Sequence, residues 1–368
     1  MNKRMNERIF SIHPELEKKA IELIKDKFAI DVLATNFANS SGARRIAQCV
    51  LKLSDFYINS DDHVTPWQES WCQLAYLAYY MILNEIRCRS VIQESKRTEF
   101  LKMAGGIEQV TDFGSGMGAA TYQLMQELPT NTPYVHIERS SVAQTFHKSI
   151  LGPAQSATSR WTDLPGVPPQ RSLGVFSFSL NELEHWPEWI RQFDRLMIIE
   201  PATSEQGRIL LQNRQKLIEN GFYIWAPCTH QGACPLLEKS KNDWCHDRVF
   251  FDQPDWFQAI EDQLPIKNKT LTFSYLLAAK TAAPKYQGIA RVTGDLLNEK
   301  GKSRQLVCRN SDREYLTWMH KTLPKKAEPP RIPRGSLIEW PGQFEQKSNE
   351  IRVTQSIQVV GLDKPGST

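Results

Sequence analysis

The chain has 368 residues, 40% hydrophobic and 23% charged, with ten Trp and sixteen Phe. Such a composition buries a sizeable core, suggests two or three domains and excludes a disordered chain. No apolar run reaches the roughly 18 residues of a membrane span, and a net charge of +4 decides little until its distribution is read.

The N-terminus, Met1-Asn2-Lys3-Arg4, is polar and lacks the apolar centre of a secretory signal. A soluble, cytoplasmic, monomeric protein without membrane contact is the expectation. Residues 11–100 show helix-type apolar spacing, as in 21–28 and 71–83, and residues 1–100 read as an N-terminal helical domain. The period then changes. Strands are expected at 107–113, 134–138, 173–180 and 195–200, with helices at 119–128, 182–193 and 205–220 between them. Strands alternating with helices imply a mostly parallel, doubly wound sheet over residues 101–283, interrupted by an irregular Cys-rich insertion at 226–247. A late strand is expected at 270–279. Beyond it, 288–295 and 303–309 look strand-like, so residues 284–340 read as a small β-rich module. The Pro-rich stretch 328–335 reads as a linker or extended arm. Residues 341–368 form a tail, partly disordered, in which Ile351, Val353, Ile357 and Val359 can add a strand.

Charge is uneven along the chain. Residues 281–335 hold twelve Lys/Arg against five Asp/Glu, a net +7 that leaves −3 for the rest. A basic module beside a slightly acidic body points to a polyanionic partner, with an ordinary solvated surface as the alternative.

The segment Asp112-Phe113-Gly114-Ser115-Gly116-Met117-Gly118 joins an expected strand to an expected helix. Its glycines let backbone approach a cofactor, and the helix start presents amides to it. The spacing is Gly-x-Gly-x-Gly, not the Gly-x-Gly-x-x-Gly of dinucleotide folds. Asp112 suits the ammonium of a methionine moiety rather than a pyrophosphate. Glu138, at the end of the next strand, suits ribose hydroxyls. These features resemble the S-adenosylmethionine-dependent methyltransferase superfamily. They imply a Rossmann-like α/β fold in which Asp112, Gly114, Gly116, Gly118 and Glu138 hold S-adenosylmethionine.

Of seven cysteines, Cys49, Cys72 and Cys88 lie in apolar, helix-like surroundings and read as core thiols. The other four read differently. Five residues separate Cys228 from Cys234 and ten separate Cys234 from Cys245, in a loop that also holds His230 and His246. Cys308 can join them through tertiary folding. Four thiolates suit a [4Fe–4S] cluster or a structural zinc, the histidines keep a mixed zinc site open, and unligated buried thiols are the remaining alternative.

The combination resembles the ribosomal small-subunit Rsm-twenty-two family, methyltransferase-like assembly factors of the mitochondrial small subunit and their bacterial relatives. The resemblance is carried by the glycine loop, by Ser179-Leu180-Asn181-Glu182-Leu183, by Ile199-Glu200-Pro201, by Ala226 to Pro235, by Asp243-Trp244-Cys245-His246 and by Phe273 to Leu276. It implies a cluster held by Cys228, Cys234, Cys245 and Cys308, and association with small-subunit rRNA or a ribosomal precursor particle. The sequence departs from the family where Ala202 stands after Pro201, a place that often holds Gly.

Catalysis is left open. After the fourth strand, amino-group methyltransferases carry Asn/Asp-Pro-Pro-aromatic, whereas this chain has Ser179-Leu180-Asn181-Glu182. A C5 enzyme needs a nucleophilic cysteine, and none lies between Cys88 and Cys228. Asn181 and Glu182 can orient a base or merely start a helix, and His185 reads as an ordinary histidine. No catalytic residue is assigned. The expectation is an rRNA-binding assembly or translation factor that binds S-adenosylmethionine and an iron–sulfur cluster. The alternatives are an active rRNA methyltransferase, or a protein or small-molecule methyltransferase with a structural zinc.

Overall fold

Pro14 starts the first helix, α1 (Pro14–Phe28), where its fixed φ and missing N–H cost nothing. Glu15 and Glu17 in the first turn and Lys25 and Lys27 in the last complement the helix dipole. Leu16, Ala20, Ile24 and Phe28 form its buried stripe, and each fully buried Leu or Ile contributes about 1.5–3 kcal/mol. In α2 (Ser41–Asn59), the Ser40 hydroxyl accepts from the Ala43 amide as N-cap. A third helical run comprises α3 (Ser70–Ala75), a π-turn at Tyr76–Tyr80 and α4 (Met81–Arg97). The computed structural model describes residues 8–60, 64–102, 106–152, 157–158, 167–183, 185–265, 267–323, 328–354 and 357–360. The expectations that fall on the N-terminal residues 1–7, on Lys325 and Lys326 and on residues 361–368 of the tail lie outside these.

The central sheet holds β1 (Ile9–Phe10), β2 (Gln109–Phe113), β3 (Tyr134–Ile137), β4 (Ala157–Thr158), β5 (Ser172–Ser177), β6 (Arg195–Glu200), β7 (Tyr223–Ala226), β8 (Asp247–Phe251) and β9 (Thr270–Ala279). Strands β4, β3, β2, β5 and β6 lie side by side in parallel. β9 follows antiparallel, and β7 and β8 share its far edge. The chain winds from β2 outward through β3 to β4, then returns to β5 on the other side of β2. That reversal makes a crevice at the C-terminal ends of β2 and β5, where open α/β sheets bind ligands. This is the expected Rossmann-like α/β fold, flanked by N-terminal helices and a C-terminal β-rich module.

Strand alternation sends side chains to two cores. Val110, Leu173, Val175, Met197 and Ile199 pack with the N-terminal helices in one continuous cluster. Phe113, Phe176, Leu196 and Ile198 face the other way, against Leu210 and Leu217 of α7 (Ser204–Glu219). Two further helices flank the sheet, α5 (Ala119–Glu127) and α6 (Ser141–Leu151). The helix expected at 182–193 does not form. Two 3₁₀ turns, Leu180–Glu182 and Glu188–Gln192, replace it. Pro187 stands between them, and its ring would clash with the preceding turn of a helix. β7 leads into the irregular Cys-rich stretch, which contains one short turn, α8 (Pro235–Glu238). After it comes α9 (Asp255–Glu261).

The second sheet comprises β10 (Ile289–Val292), β11 (Leu297–Glu299), β12 (Lys302–Cys308), β13 (Glu314–Met319), β14 (Leu337–Glu339), β15 (Glu345–Lys347), β16 (Glu350–Arg352) and β17 (Val359–Val360). Ile351 and Val359 thus lie in strands, Ile351 on β16 paired with β13. The Pro-rich stretch is built into the module: Ile332 is buried in the core formed by Val292, Val307, Leu316 and Trp318. Much of the module's basic charge is neutralised by carboxylates, some within the module and some from distant segments. Arg291, Lys302, Arg304, Arg309, Arg313 and Arg334 each pair with a carboxylate. Among the described residues, no helix is long and apolar enough to cross a membrane.

Arg291 fastens this module to the rest. Its guanidinium donates to the Pro227 carbonyl at 2.5 Å, to the Gly335 carbonyl at 2.6 Å and to the Glu94 carboxylate of α4. Arg97 Nε also donates to Glu94, at 3.0 Å. Burial alone would raise the Glu94 carboxyl, but Arg291 and Arg97 overcome it and hold the group down to about 2. Removing one partner of a buried pair leaves an uncompensated charge, so Glu94→Ala should lower stability by about 3–5 kcal/mol, read as an earlier denaturation midpoint. The same contribution is complete above the ordinary carboxylate value of 4.5 and disappears as pH falls through about 2.

Candidate cofactor crevice and cysteine cavity

The loop after β2 turns on glycines in the left-handed region: Gly114 at φ 63°, Gly116 at 52° and Gly118 at 89°. The Gly114 and Ser115 amides both donate to the Ile137 carbonyl at the end of β3, at 2.8 and 3.3 Å. Gly118 is the tightest position. A Cβ there would stand 2.8 Å from His147 Cδ2 and 2.9 Å from Leu151 Cδ1 of α6. Gly116 faces the other way, into the crevice, 3.6 Å from Tyr76 Oη and 3.7 Å from Trp67 Cζ2 by the same measure. Those two rings, 4.6 Å apart, roof the loop.

Glu138 ties the end of β3 to the loop. Its Oε2 accepts from the Gly116 amide at 3.0 Å and its Oε1 from the Ser140 amide at 2.8 Å. Asp112 lies behind the loop, 1% exposed, with Oδ2 accepting from Thr121 Oγ1 of α5 at 2.6 Å. Its Oδ1 has no partner among the described residues. The structure therefore brings Asp112, Gly114, Gly116, Gly118 and Glu138 together around the C-terminal ends of β2 and β3.

These carboxyls are held against their chemistry. Burial raises Asp112 to about 7, with Glu138 adding repulsion against the opposing Thr121 hydrogen bond. Burial also raises Glu138, against the pull of the Ser140 and Gly116 amides. Glu182, after β5, is open to solvent but enclosed by the crevice; that enclosure and Glu138 raise it to about 7 against Arg139. Three carboxyls thus surround a loop whose own amides are positive, an arrangement relieved by a cationic ligand.

The sequence reading missed the roof. Tyr76 belongs to a run read as apolar helix, and the π-turn at Tyr76–Tyr80 is where this helix departs from α-geometry, as π-turns at functional sites often do. The one available signal was the density of aromatics, Trp67, Trp71, Tyr76, Tyr79 and Tyr80, which core packing explained equally well.

The four candidate cysteines also meet. Cys228 follows β7, Cys234 precedes α8, Cys245 precedes β8 and Cys308 closes β12 of the module, and all four line one cavity of about 30 Å3. Thr229 Oγ1 donates to the Cys308 carbonyl at 3.0 Å, and Ser274 Oγ to that of Cys245 at 2.8 Å. His230 joins the wall, with Nε2 3.5 Å from Cys308 Sγ, whereas His246 lines a neighbouring pocket, its ring tilted 30° against Trp244. Arg214 of α7 is buried there. It donates through Nε to Cys228 Sγ at 3.0 Å and through Nη2 to the His230 and Gly232 carbonyls at 3.0 and 2.9 Å. Burial, followed by Cys228 and Cys234, pushes the Cys245 thiol up to about 12. Among the described residues, no three His, Cys, Asp or Glu side chains are arranged to hold a metal ion.

Gly118→Ala combines a left-handed backbone with a clash on α6, and should destabilise the fold by about 1–3 kcal/mol, measured as a lower unfolding midpoint. Gly152, also left-handed but with open space around its missing Cβ, should show the smaller loss.

Comparison with known proteins adds the following. The family described as mitochondrial small ribosomal subunit Rsm22 matches residues 106–326, more than half of the chain. No curated protein matches. Among solved structures, the precorrin-6y C5,15-methyltransferase of Geobacter metallireducens is 12% identical, with 51% of this chain and 86% of that one covered at a TM-score of 0.32. The plantazolicin methyltransferase solved with SAH is 11% identical, with 65% and 98% covered at 0.33. A SAM-dependent methyltransferase from Aquifex aeolicus is 16% identical, with 38% and 89% covered at 0.26. The family match spans the glycine loop, Glu138 and all four cavity cysteines, and the chain belongs to the mitochondrial small ribosomal subunit Rsm22 family.

Proposed function

We propose that this protein binds S-adenosylmethionine in the crevice above Gly116, carries an iron–sulfur cluster on Cys228, Cys234, Cys245 and Cys308, and works on the small ribosomal subunit in contact with its RNA. The observation that carries the cofactor reading is the trio of carboxyls Asp112, Glu138 and Glu182 gathered around a glycine turn, which the nearby Arg139 offsets only in part. A sulfonium and an ammonium on one small ligand answer that charge. Glu138 has lone pairs left after its two backbone bonds, which suits ribose hydroxyls.

The chemistry of the cavity, rather than the spacing of its thiols, supports a thiolate-bound group. Four thiols line one space, and the buried Arg214 guanidinium has sulfur as its side-chain partner where a carboxylate is usual. A cluster bound there supplies a covalent clamp and negative charge. Arg214, His230 and the carbonyls of the 228–232 loop shield it from water and hold the loop's path. RNA contact then rests on exposed Lys285, Lys300, Lys321 and Arg331, since much of the module's remaining charge is already paired.

Calorimetry with S-adenosylmethionine tests the crevice. Glu138→Ala should weaken binding by about 10- to 100-fold, or roughly 1.4–2.8 kcal/mol. Asp112 and Glu182 are largely neutral below about 7 and ionise above it, so affinity for the sulfonium ligand should rise between about pH 6 and pH 8. A flat profile together with an unaffected Glu138→Ala variant would remove the crevice from consideration.

Iron and acid-labile sulfide, measured on anaerobically purified protein, test the cavity. Cys308→Ser should lower both while leaving S-adenosylmethionine binding intact. Colourless wild-type protein with stoichiometric zinc would reject the cluster. Labelled-methyl incorporation into immature small subunits, lost in Asp112→Ala, would show that the crevice also transfers its methyl group.

A further inference from the structure

The helix missing at 182–193 leaves a space. Residues 180–183 and 185–192 arch off α7 and border a cavity of about 220 Å3, outside both the crevice and the cysteine cavity. Its floor is Glu200, the last residue of β6, 3% exposed. Glu200 Oε1 accepts from the Leu180 amide at 3.0 Å, while Oε2 has no partner among the described residues. Amide side chains of Asn181, Gln206 and Asn213 complete the polar wall, and Trp186 supplies an aromatic face. Lys216 Nζ lies over one face of the Trp186 ring, 5.5 Å from its centre, so a base stacks on the other face or displaces the ammonium.

We propose that this cavity is a nucleotide-base pocket. A base stacks on Trp186 and turns its hydrogen-bonding edge toward Glu200 and the amides, with its phosphate toward Lys216. Three features select that ligand. A buried carboxyl with one oxygen unpartnered calls for a ligand with a polar edge, which an aliphatic ligand lacks. Amide groups offer the paired donor and acceptor that match base edges. The volume is below the roughly 300–1,000 Å3 of drug-sized sites, and so admits one base rather than a folded peptide. Burial, with repulsion from Glu182, raises the Glu200 carboxyl to about 8 against the Leu180, Asn181 and Ser179 amides, so at neutral pH it is mostly protonated and offers a donor as well as an acceptor. The base belongs either to a free nucleotide or to an RNA strand. Only the second source rests on the ribosomal reading given above.

Calorimetry of the full chain with the four nucleoside 5′-monophosphates and with four homopolymeric RNA hexamers separates these sources. At least one ligand should bind, and Trp186→Ala and Glu200→Leu should each weaken it by about 10-fold or more, the size expected of a lost stacking platform. Glu200→Gln, which keeps a donor and an acceptor, should stay within about threefold of wild type. Binding of monophosphates and hexamers alike identifies a free-nucleotide site, and binding of hexamers alone identifies a strand. Both support the pocket. Trp186 lies outside the crevice, so S-adenosylmethionine affinity in Trp186→Ala should be unchanged. A chain that binds the base but not S-adenosylmethionine would sink the cofactor reading and leave this one standing. The pocket is overturned if no ligand binds, or if Trp186→Ala and Lys216→Ala, folded with wild-type melting points, leave every affinity unchanged.

Discussion

A guanidinium removed from water must be met by charge and by hydrogen-bond acceptors, and Arg291 is met from three directions. Glu94 comes from the N-terminal helices, Pro227 from the cysteine loop and Gly335 from the Pro-rich stretch of the module. Such a pair is weak evidence of net stability, because desolvation offsets much of its attraction. It is strong geometric information, because only one placement of the module satisfies it. That placement delivers Cys308 to the cavity that Cys228, Cys234 and Cys245 line from the other side. The cysteine cavity is therefore a consequence of docking, with Pro227 and Cys228 adjacent in the chain.

The crevice carries the opposite kind of constraint. Glu138 disfavours the ionisation of both Asp112 and Glu182, and Gly118 holds a backbone that other residues adopt at a cost. Local consistency fails here while the surrounding sheet and helices satisfy it, a pattern typical of ligand sites. The π-turn at Tyr76–Tyr80 adds to it by setting an aromatic roof over the same loop. The arch over α7 is related: Pro187 denies the chain a helix and leaves a cavity beside the crevice.

Much was legible beforehand where the signal was local. The strand–glycine–helix unit at 109–127 follows from residues adjacent in sequence. The four cysteines could be grouped by residue type, but their cavity depends on Cys308 travelling with a different sheet. Charge was the least transferable reading. The +7 of residues 281–335 suggested a broad basic face, yet Arg291, Arg309, Arg313 and Arg334 are matched by carboxylates, some from distant segments such as Glu94 and Asp243.

The sequence by itself determined the alternation of strands and helices, the glycine turn and the identity of the thiols, because period, backbone freedom and side-chain chemistry are properties of neighbouring residues. Tertiary structure decided which carboxyls crowd one another, which arginines remain free to meet a partner, and that Trp67 and Tyr76 roof the loop. Those outcomes depend on burial and on distance between residues far apart in the chain, and neither quantity exists until the cores have closed.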